Sequence, residues 1–341
     1  MSNITNDFNV AIIGAGSMGC AMAVHLGRQR NEASFRHNIS LWSPMEDEIK
    51  MLMEHREHLQ RLPGVKLPDN IEFCFNLKET VAGKNAVIMA VPSQKTRENC
   101  REIADLLCPD VLVTTCSKGI EEDTGKLLAE IIKEELPDNP VAVLSGPSHA
   151  EEIARKVPTA VVAASEDINT AEKVQDLFMS NTFRVYTNTD VTGVELGASL
   201  KNVIALCAGI ADGLGYGDNT KAALMTRGMA EISRLGVAMG GKAATFFGLT
   251  GMGDLIVTCT SVHSRNRKAG VLIGQGMPID DALKKINMVV EGYTTAKPAY
   301  MLGQKMDIDL PIINKAYEIL FKGYDPKNAV MDLLERDKKG E

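Results

Sequence analysis

The chain has 341 residues, which is too long for one ordinary hydrophobic core and fits two domains. It is 45% hydrophobic, 24% charged and 5% aromatic, a composition typical of a soluble globular protein. A net charge of -7 argues against a nucleic-acid partner, because surfaces that bind phosphate backbones are usually basic.

Cysteine usage and the N-terminal sequence indicate where the protein resides. The chain has seven cysteines, an odd number that cannot all pair, and no Cys-x-x-Cys motif. We therefore expect free thiols in a reducing compartment. Residues 1–7 lack the apolar core of a signal peptide, and we expect no apolar stretch long enough to span a bilayer. These features predict a cytoplasmic protein without stable membrane insertion.

A glycine-rich turn follows the first apolar run. Residues 9–13 lead into Gly14-Ala15-Gly16-Ser17-Met18-Gly19, and residues 20–26 have helical character. Strand, glycine turn and helix in this order are the context that the dinucleotide-binding G-x-G-x-x-G motif requires. Gly14 permits the tight turn, Gly16 lets the backbone approach a pyrophosphate, and Gly19 lets the helix pack on the strand. The sequence therefore predicts a site for NAD or NADP.

Further apolar runs alternate with helical segments, as in an open parallel sheet. The predicted strands after the first are 39–42, 71–75, 86–91, 111–116, 141–144, 159–164 and 183–186. Between them we predict helices at 45–62, 76–83, 94–107, 121–135 and 170–177. The polar connector 28–38 is longer than most helix-to-strand loops and predicts a surface excursion.

Two features of this half bear on ligands. His55 and His58 lie three residues apart on the charged 45–62 segment, where we favour a solvated helix face over a metal site and predict no metal. The residue that reads the adenosine ribose is expected about 20 residues after the last glycine. Ser43 and Pro44 stand there, so neither the acid typical of NAD sites nor the cation typical of NADP sites is present. The preference stays open, with a slight lean toward NAD.

Three of the predicted strands end at polar turns that contain Pro92, Lys118 and Ser148. In an open α/β sheet, ligands bind outside the carboxyl ends of the strands. We therefore expect these residues to gather near the nicotinamide end of the cofactor.

From residue 192 onward helical runs dominate. The predicted fold class is α/β, with an N-terminal Rossmann-type doubly wound sheet and a C-terminal all-helical domain. We place the dinucleotide-binding domain at residues 1–190 and a helical substrate-binding and catalytic domain at 191–341. The tail from Glu335 is charged and is expected to fray.

The second domain opens with a segment, 195–212, in which Lys201 is the only charge between residues 196 and 211. A lysine on a buried helix is costly unless it has a partner or a function, although a lysine that reaches the surface is the alternative. Desolvation lowers a lysine pKa toward the range useful for proton transfer, whereas a neighbouring carboxylate raises it.

Two polar segments and a turn accompany this lysine. The loop 248–254 is either a second phosphate loop or a tight turn that directs Asp254 at Lys201. The cluster 264–268, Ser-Arg-Asn-Arg-Lys, is either an anion site or a solvated basic loop. Residues 289–293 read as a helix-to-helix turn.

The order of these motifs resembles the NAD(P)-dependent glycerol-3-phosphate dehydrogenases of the bacterial type. The resemblance rests on nine short motifs spread over the whole chain: G-A-G-S-M-G at 14–19, L-P-G-V-K-L-P-D-N at 62–70, V-P-S at 91–93, S-K-G at 117–119, S-G-P-S at 145–148, L-K-N-V at 200–203, G-D-L at 253–255, S-R-N at 264–266 and V-V-E-G-Y at 289–293. The family often has an aromatic residue at the position of Met18 and a basic one at that of Pro44.

The resemblance implies hydride transfer between a nicotinamide cofactor and dihydroxyacetone phosphate, giving sn-glycerol 3-phosphate for phospholipid synthesis. It implies catalytic roles for three residues: Lys201 as general acid/base, Lys118 as a second cation, and Asp254. The implied cofactor contacts are Gly14, Gly16, Ser17, Met18, Gly19, Lys118, Ala150, Arg265, Val289 and Glu291. The implied substrate contacts are Lys118, Gly146, Ser148, Lys201, Asp254, Ser264, Arg265 and Asn266.

Two other functions stay open on the residues alone. One is another dehydrogenase with a catalytic lysine, such as a 3-hydroxyacid or ketopantoate reductase, against which the cationic 264–268 cluster argues. The other is a catalytically silent nucleotide sensor, against which Lys118, Lys201 and Asp254 together argue. The apolar helical domain favours a homodimer.

Overall fold

The computed structural model of the protein describes residues 7–29, 36–338 and 340. The chain divides into two compact units. Unit 1 comprises the described residues up to Lys118 together with Leu128–Val191, and unit 2 comprises Gly119–Leu127 and the described residues from Thr192. Most of the connector predicted over 28–38, and part of the charged tail, lie outside the described residues.

Unit 1 is built on one sheet. Its strands in the described chain are β1 (Asp7–Ile13), β2 (Arg36–Trp42), β3 (Ile71–Cys74), β4 (Ala86–Met89), β5 (Leu112–Thr115), β6 (Val141–Ser145), β7 (Thr159–Ala164) and β8 (Phe183–Asn188). The spatial order is β3-β2-β1-β4-β5-β6-β7-β8. Its first six strands follow the order 3-2-1-4-5-6 of a Rossmann sheet, which confirms the predicted fold. The predicted extension by the last two strands is also confirmed, although β7 runs antiparallel to β6.

Helices connect these strands. They are α1 (Ser17–Arg28), α2 (Glu46–His55), α3 (Leu77–Val81), α4 (Thr96–Ile103), α5 (Leu128–Glu135), α6 (Ala150–Ala154) and α7 (Ile168–Phe178). Central strand residues such as Val10, Ile12 and Ile88 are fully buried, which explains why the sequence reads there as continuous apolar runs.

Two predicted helices are shorter than expected. The helix predicted over 45–62 ends at His55, because Arg56 adopts a left-handed conformation with φ +46°. The helix predicted over 121–135 begins only at Leu128. Before it, Ile120 pairs with Leu127 in an antiparallel bridge, and the turn between them contains Gly125 at φ +71°. The side chains of Ile120 and Leu127 are buried in the core of unit 2.

Unit 2 is helical in its described part, as predicted. Its helices are α8 (Val191–Gly213), α9 (Asp218–Ala238), α10 (Ala243–Phe246), α11 (Asp254–Thr260), α12 (Arg265–Gly274), α13 (Ile279–Ile286), α14 (Glu291–Lys305), α15 (Pro311–Lys322) and α16 (Pro326–Leu334). A π-helical turn, Leu249–Gly253, leads into α11. Helix α8 is buried on nearly every face, so the other helices of this unit are arranged around it.

Two segments of unit 2 are long and apolar enough to cross a membrane by length and composition, Val191–Gly213 and Ala243–Thr260. The expectation that no such stretch exists was therefore wrong. In the first segment 94% of the apolar window is buried, as in the core helix of a globular domain. The thiols behave as expected, since all seven cysteines are free.

Candidate active site

The glycine turn of unit 1 has the geometry of an anion site. Gly14 has φ +107°, and a Cβ there would lie 2.7 Å from the carbonyl oxygen of Ala90. A Cβ at Gly19 would lie 1.7 Å from the Gly14 oxygen, so the helix can approach the strand only with glycine there. A Cβ at Gly16 would meet a single atom of the described chain within 4 Å, Nη1 of Arg61 at 3.6 Å. The backbone over Gly16 is thus accessible to a ligand.

Helix α1 begins directly at this turn. No side chain of the described chain caps its N-terminus at Gly16, so its first N–H groups and its positive dipole end are directed toward the turn. An uncapped helix end beside an accessible glycine backbone fits the pyrophosphate of a dinucleotide. Of the other predicted contacts, Met18 packs against the core and Ala150 is the buried first residue of α6.

The end of β2 carries a polar network that the sequence analysis missed. Glu48 is buried, accepts a hydrogen bond from Ser43 Oγ (2.6 Å) and forms an ion pair with Arg61 Nη1 (2.9 Å). His58 Nδ1 accepts a hydrogen bond from the Arg61 N–H, so Nε2 is the nitrogen that donates to Glu48 Oε1, at 3.3 Å. Burial raises the pKa of the Glu48 carboxyl, but hydrogen bonds from His58 and Ser43 and the Arg61 charge outweigh it and lower that pKa overall.

The solvated face predicted for His55 and His58 was therefore wrong for His58. Its side chain is 1% exposed because the helix ends at His55 and the chain folds back over Glu48. Within the described residues, no group of three His, Cys, Asp or Glu side chains could hold a metal ion.

The carboxyl ends of β5 and β6 meet as predicted. Lys118 Nζ donates to the carbonyl oxygen of Gly146 at 2.9 Å and lies 3.4 Å from Ser148 Oγ. Ser117 Oγ donates to the carbonyl oxygen of Val91, which precedes Pro92 at the end of β4. The structure thus brings together Lys118, Gly146 and Ser148 within unit 1, with the end of β4 beside them.

In unit 2, Lys201 is buried, with 5% of its surface exposed. Its Nζ donates to Asp254 Oδ1 at 2.9 Å and to Thr258 Oγ1 at 2.6 Å. The predicted contact between Asp254 and Lys201 is confirmed, and the alternative of a lysine reaching the surface is wrong. Gly197 allows this contact, because a Cβ there would lie 2.9 Å from the Thr250 oxygen in the turn that carries Asp254.

Thr258 is a member of this cluster that sequence reasoning missed. It lies one helical turn after Asp254 on α11, so both side chains share a helix face. Its hydroxyl donates to the Asp254 carbonyl oxygen (2.6 Å) and therefore accepts from Lys201. The i, i+4 spacing is the signal that would have found it.

The 264–268 cluster is the N-terminus of α12 rather than a loop. Ser264 caps this helix, with its hydroxyl accepting from the Arg267 N–H. Arg267 is ion-paired to Asp212 at 2.7 Å, whereas Arg265 is exposed on the first helical turn. Arg267 is therefore partly neutralised within the fold.

Asn266 links three of the sequence motifs. Its Nδ2 donates to Asn202 Oδ1 (2.9 Å) and its Oδ1 accepts from the Gly292 N–H (2.8 Å). A Cβ at Gly292 would lie 2.4 Å from the Asn202 carbonyl oxygen, so glycine is required at this junction. Val289 lies in the predicted connection between helices and Glu291 begins α14, so both flank this junction.

Comparisons with known proteins agree with this arrangement. The model for the N-terminus of NAD-dependent glycerol-3-phosphate dehydrogenase matches residues 9–171, and the model for its C-terminus matches 190–331. The chain is 53% identical over 330 residues to the glycerol-3-phosphate dehydrogenase (NAD(P)+) of Agathobacter rectalis, with 97% of this chain and 96% of the relative covered. It is 49% identical to the protein of that name from Clostridium tetani, over 97% of this chain and 93% of the relative.

A solved structure extends the comparison to the fold. The crystal structure of glycerol-3-phosphate dehydrogenase from Coxiella burnetii superposes with a TM-score of 0.92 at 36% identity, covering 97% of this chain and 99% of that one. Both halves of the chain match one family, and the glycine turn and lysine cluster lie within the matched residues. The chain therefore belongs to the NAD-dependent glycerol-3-phosphate dehydrogenase family.

Proposed function

We propose that this protein is an NAD(P)-dependent glycerol-3-phosphate dehydrogenase that reversibly reduces dihydroxyacetone phosphate to sn-glycerol 3-phosphate. The observation that carries the proposal is the buried Lys201–Asp254–Thr258 cluster in a chain that matches this family over both halves. We assign cofactor binding to residues 1–190 and substrate binding and catalysis to 191–341.

The residues at the glycine turn would hold the cofactor, which supplies or accepts the hydride when bound. The backbone of Gly14, Gly16 and Gly19 and the first turn of α1, including Ser17 and Met18, would hold its pyrophosphate. We assign further cofactor contacts to the remaining residues of the predicted set: Lys118, Ala150, Arg265, Val289 and Glu291.

Lys201 is the proposed general acid. Negative charge develops on the C2 oxygen of the substrate during reduction, and the Lys201 ammonium donates a proton to it. In the reverse direction the neutral amine accepts that proton. Asp254 and Thr258 fix the position of Nζ, and the Asp254 carboxylate compensates a charge that would otherwise be buried alone.

Lys118 is the proposed second cation at the carbonyl oxygen. Its contact with Gly146 and its proximity to Ser148 hold the ammonium at the strand ends, and we assign all three residues to the substrate site. A preorganised cation stabilises an oxyanion without reorganisation at the moment of reaction.

The N-terminus of α12 is the proposed phosphate anchor. Arg265 is exposed there, Ser264 and Asn266 flank it, and the helix dipole adds positive potential. Binding the phosphate away from the reacting carbon orients the carbonyl, so this anchor contributes to turnover as well as affinity.

Oxidation of NADH and NADPH at 340 nm tests the proposal directly. We expect dihydroxyacetone phosphate to be reduced, and dihydroxyacetone without phosphate to react far more slowly. Turnover of ketopantoate or a 3-oxoacid in place of dihydroxyacetone phosphate would contradict the proposal. Cofactor binding without turnover of any of these substrates would indicate a catalytically silent nucleotide sensor instead.

We further propose a soluble cytoplasmic homodimer that supplies sn-glycerol 3-phosphate for phospholipid synthesis. Large exposed apolar side chains of unit 2, such as Phe247 and Val262 at 65% and 67% exposure, support an interface on the helical unit. Sedimentation equilibrium at micromolar concentration should give twice the chain mass, and a monomer would refute the dimer.

A further inference from the structure

The end of β2 is where this fold reads the adenosine ribose, and the structure shows which charges lie there. Ser43 and Pro44 carry none. Folding nevertheless brings two charged side chains to this point, Glu48 from α2 and Arg61 from the segment after it.

Glu48 is already used within the protein. Its Oε2 accepts a hydrogen bond from Ser43, and its Oε1 accepts one from His58 and is ion-paired to Arg61. The side chain is 8% exposed. A carboxylate with both oxygens engaged is poorly available to accept the ribose 2′-hydroxyl, which is the contact that favours NAD.

Arg61 is held beside the glycine turn at both its backbone and its side chain. Ser17 Oγ donates to its carbonyl oxygen (2.8 Å), and its N–H donates to His58. Its Nη1 is ion-paired to Glu48 Oε1 at 2.9 Å, and a Cβ added at Gly16 would lie 3.6 Å from the same nitrogen. The guanidinium therefore lies between the end of β2 and the glycine turn.

The remaining donors of Arg61 are available to a ligand. Within the described chain, Nε has no hydrogen-bond partner, and the one hydrogen bond of Nη2 is to Met45 Sδ, at 3.8 Å. The Arg61 side chain is 30% exposed, whereas that of Glu48 is 8% exposed. The charge of this ion pair that solvent or a ligand can reach is therefore the positive charge of Arg61. A planar guanidinium whose Nε makes no hydrogen bond in the described chain, and whose Nη2 donates only to a weakly accepting thioether sulfur, matches the oxygens of a phosphate.

We propose that Arg61 binds the 2′-phosphate of NADP(H) and makes this enzyme select NADPH over NADH. The inference rests on the proposed cofactor role of the glycine turn. It replaces the slight lean toward NAD that residues 43 and 44 gave, because the cation comes from a position distant in sequence.

Cofactor binding can be measured without turnover. Trp42 is the only tryptophan, and its carbonyl oxygen accepts from the Gly14 N–H, so it lies at the glycine turn. Energy transfer from Trp42 to bound NADH or NADPH reports each dissociation constant separately. The variants are Arg61→Ala and the size-matched Arg61→Gln, which retains a donor for Glu48 in case the alanine variant does not fold.

Loss of a charge-assisted contact should raise the NADPH dissociation constant about tenfold or more and change that of NADH about twofold at most. The wild type should also bind 2′,5′-ADP more tightly than 5′-AMP, and the Arg61 variants should lose that difference. Arg97→Ala, which removes an arginine paired to Glu134 and Glu135, is the matched control and should change neither constant.

Equal weakening of NADH and NADPH in the Arg61 variants would overturn the proposal, because the guanidinium would then serve a group common to both, such as the pyrophosphate. Unchanged binding of both would overturn it as well. If the folded wild type bound neither dinucleotide, the cofactor role of the turn itself would fail, which is distinguishable from a failure of selectivity.

Discussion

Replacement of Lys201 by Met separates the structural from the chemical role of the buried ammonium. The substitution keeps the alkyl chain but takes the Lys201 ammonium away from the Asp254 carboxylate, which is 1% exposed. Breaking one side of a buried ion pair costs about 3–5 kcal/mol. At about 2–4 °C per kcal/mol for a unit of this size, the melting temperature should fall by at least about 6 °C.

The double variant Lys201→Met/Asp254→Asn also neutralises the side chain at position 254. It should recover most of the lost stability, since the site is then neutral and nearly isosteric. It should not recover turnover, which should be about 10²- to 10⁴-fold below wild type in both variants because the proton donor is absent.

Thermal unfolding followed by circular dichroism and steady-state reduction of dihydroxyacetone phosphate measure the two effects on the same samples. A double variant that regained turnover together with stability would refute the reasoning, because Lys201 would then matter only for folding. Cofactor titration should show near-normal affinity in both variants.

Three further substitutions test other parts of the account. Arg265→Ala should raise KM for dihydroxyacetone phosphate about tenfold or more, whereas Lys268→Ala, an exposed cation on the same helix, should leave it within about twofold; equal effects would contradict the anchor. Gly19→Ala places a Cβ 1.7 Å from the Gly14 oxygen, so it should destabilise unit 1 by about 1–3 kcal/mol and weaken NADH binding. If fluorescence titration gave this variant the NADH affinity of the wild type, the close-approach argument would be contradicted. Burial raises the pKa of Glu231 from 4.5 to about 7, so the folded state binds more protons than the unfolded state in this window and stability falls as pH rises through it. Between pH 5 and pH 8, the free energy of unfolding of the wild type should fall by about 2–3 kcal/mol relative to that of Glu231→Gln. Denaturant unfolding measures both free energies, and a difference between them that does not change with pH would refute this.

Local sequence patterns predicted most of unit 1 because its determinants are local. The run from Val10 to Ile13 is apolar and buried on both faces, and Gly19 is required by its close approach to the Gly14 oxygen within the same strand-turn-helix unit. The contact between Lys201 and Asp254 could also be predicted, since a lone charge in an apolar helix needs a partner and the glycine-rich loop supplies an acid.

Apart from Thr258, whose spacing to Asp254 is local, the features that were missed depend on pairing between distant residues. Nothing near Arg61 in the sequence indicates that it approaches Gly16, and nothing near Asn202 indicates its bond to Asn266. The segment Gly119–Leu127 has the charged composition of a helix, but Ile120 and Leu127 are buried in the core of unit 2, and that tertiary burial overrides local propensity.

The central claim is that the Lys201 ammonium supplies the proton, and chemical rescue of a single turnover tests it most directly. Lys201→Ala removes the amine and leaves space where the side chain was buried. We predict that dihydroxyacetone phosphate oxidises prebound NADH very slowly in this variant, and that added ethylamine restores the rate with saturating dependence on its concentration. A single-turnover rate equal to that of the wild type without added amine would contradict the claim.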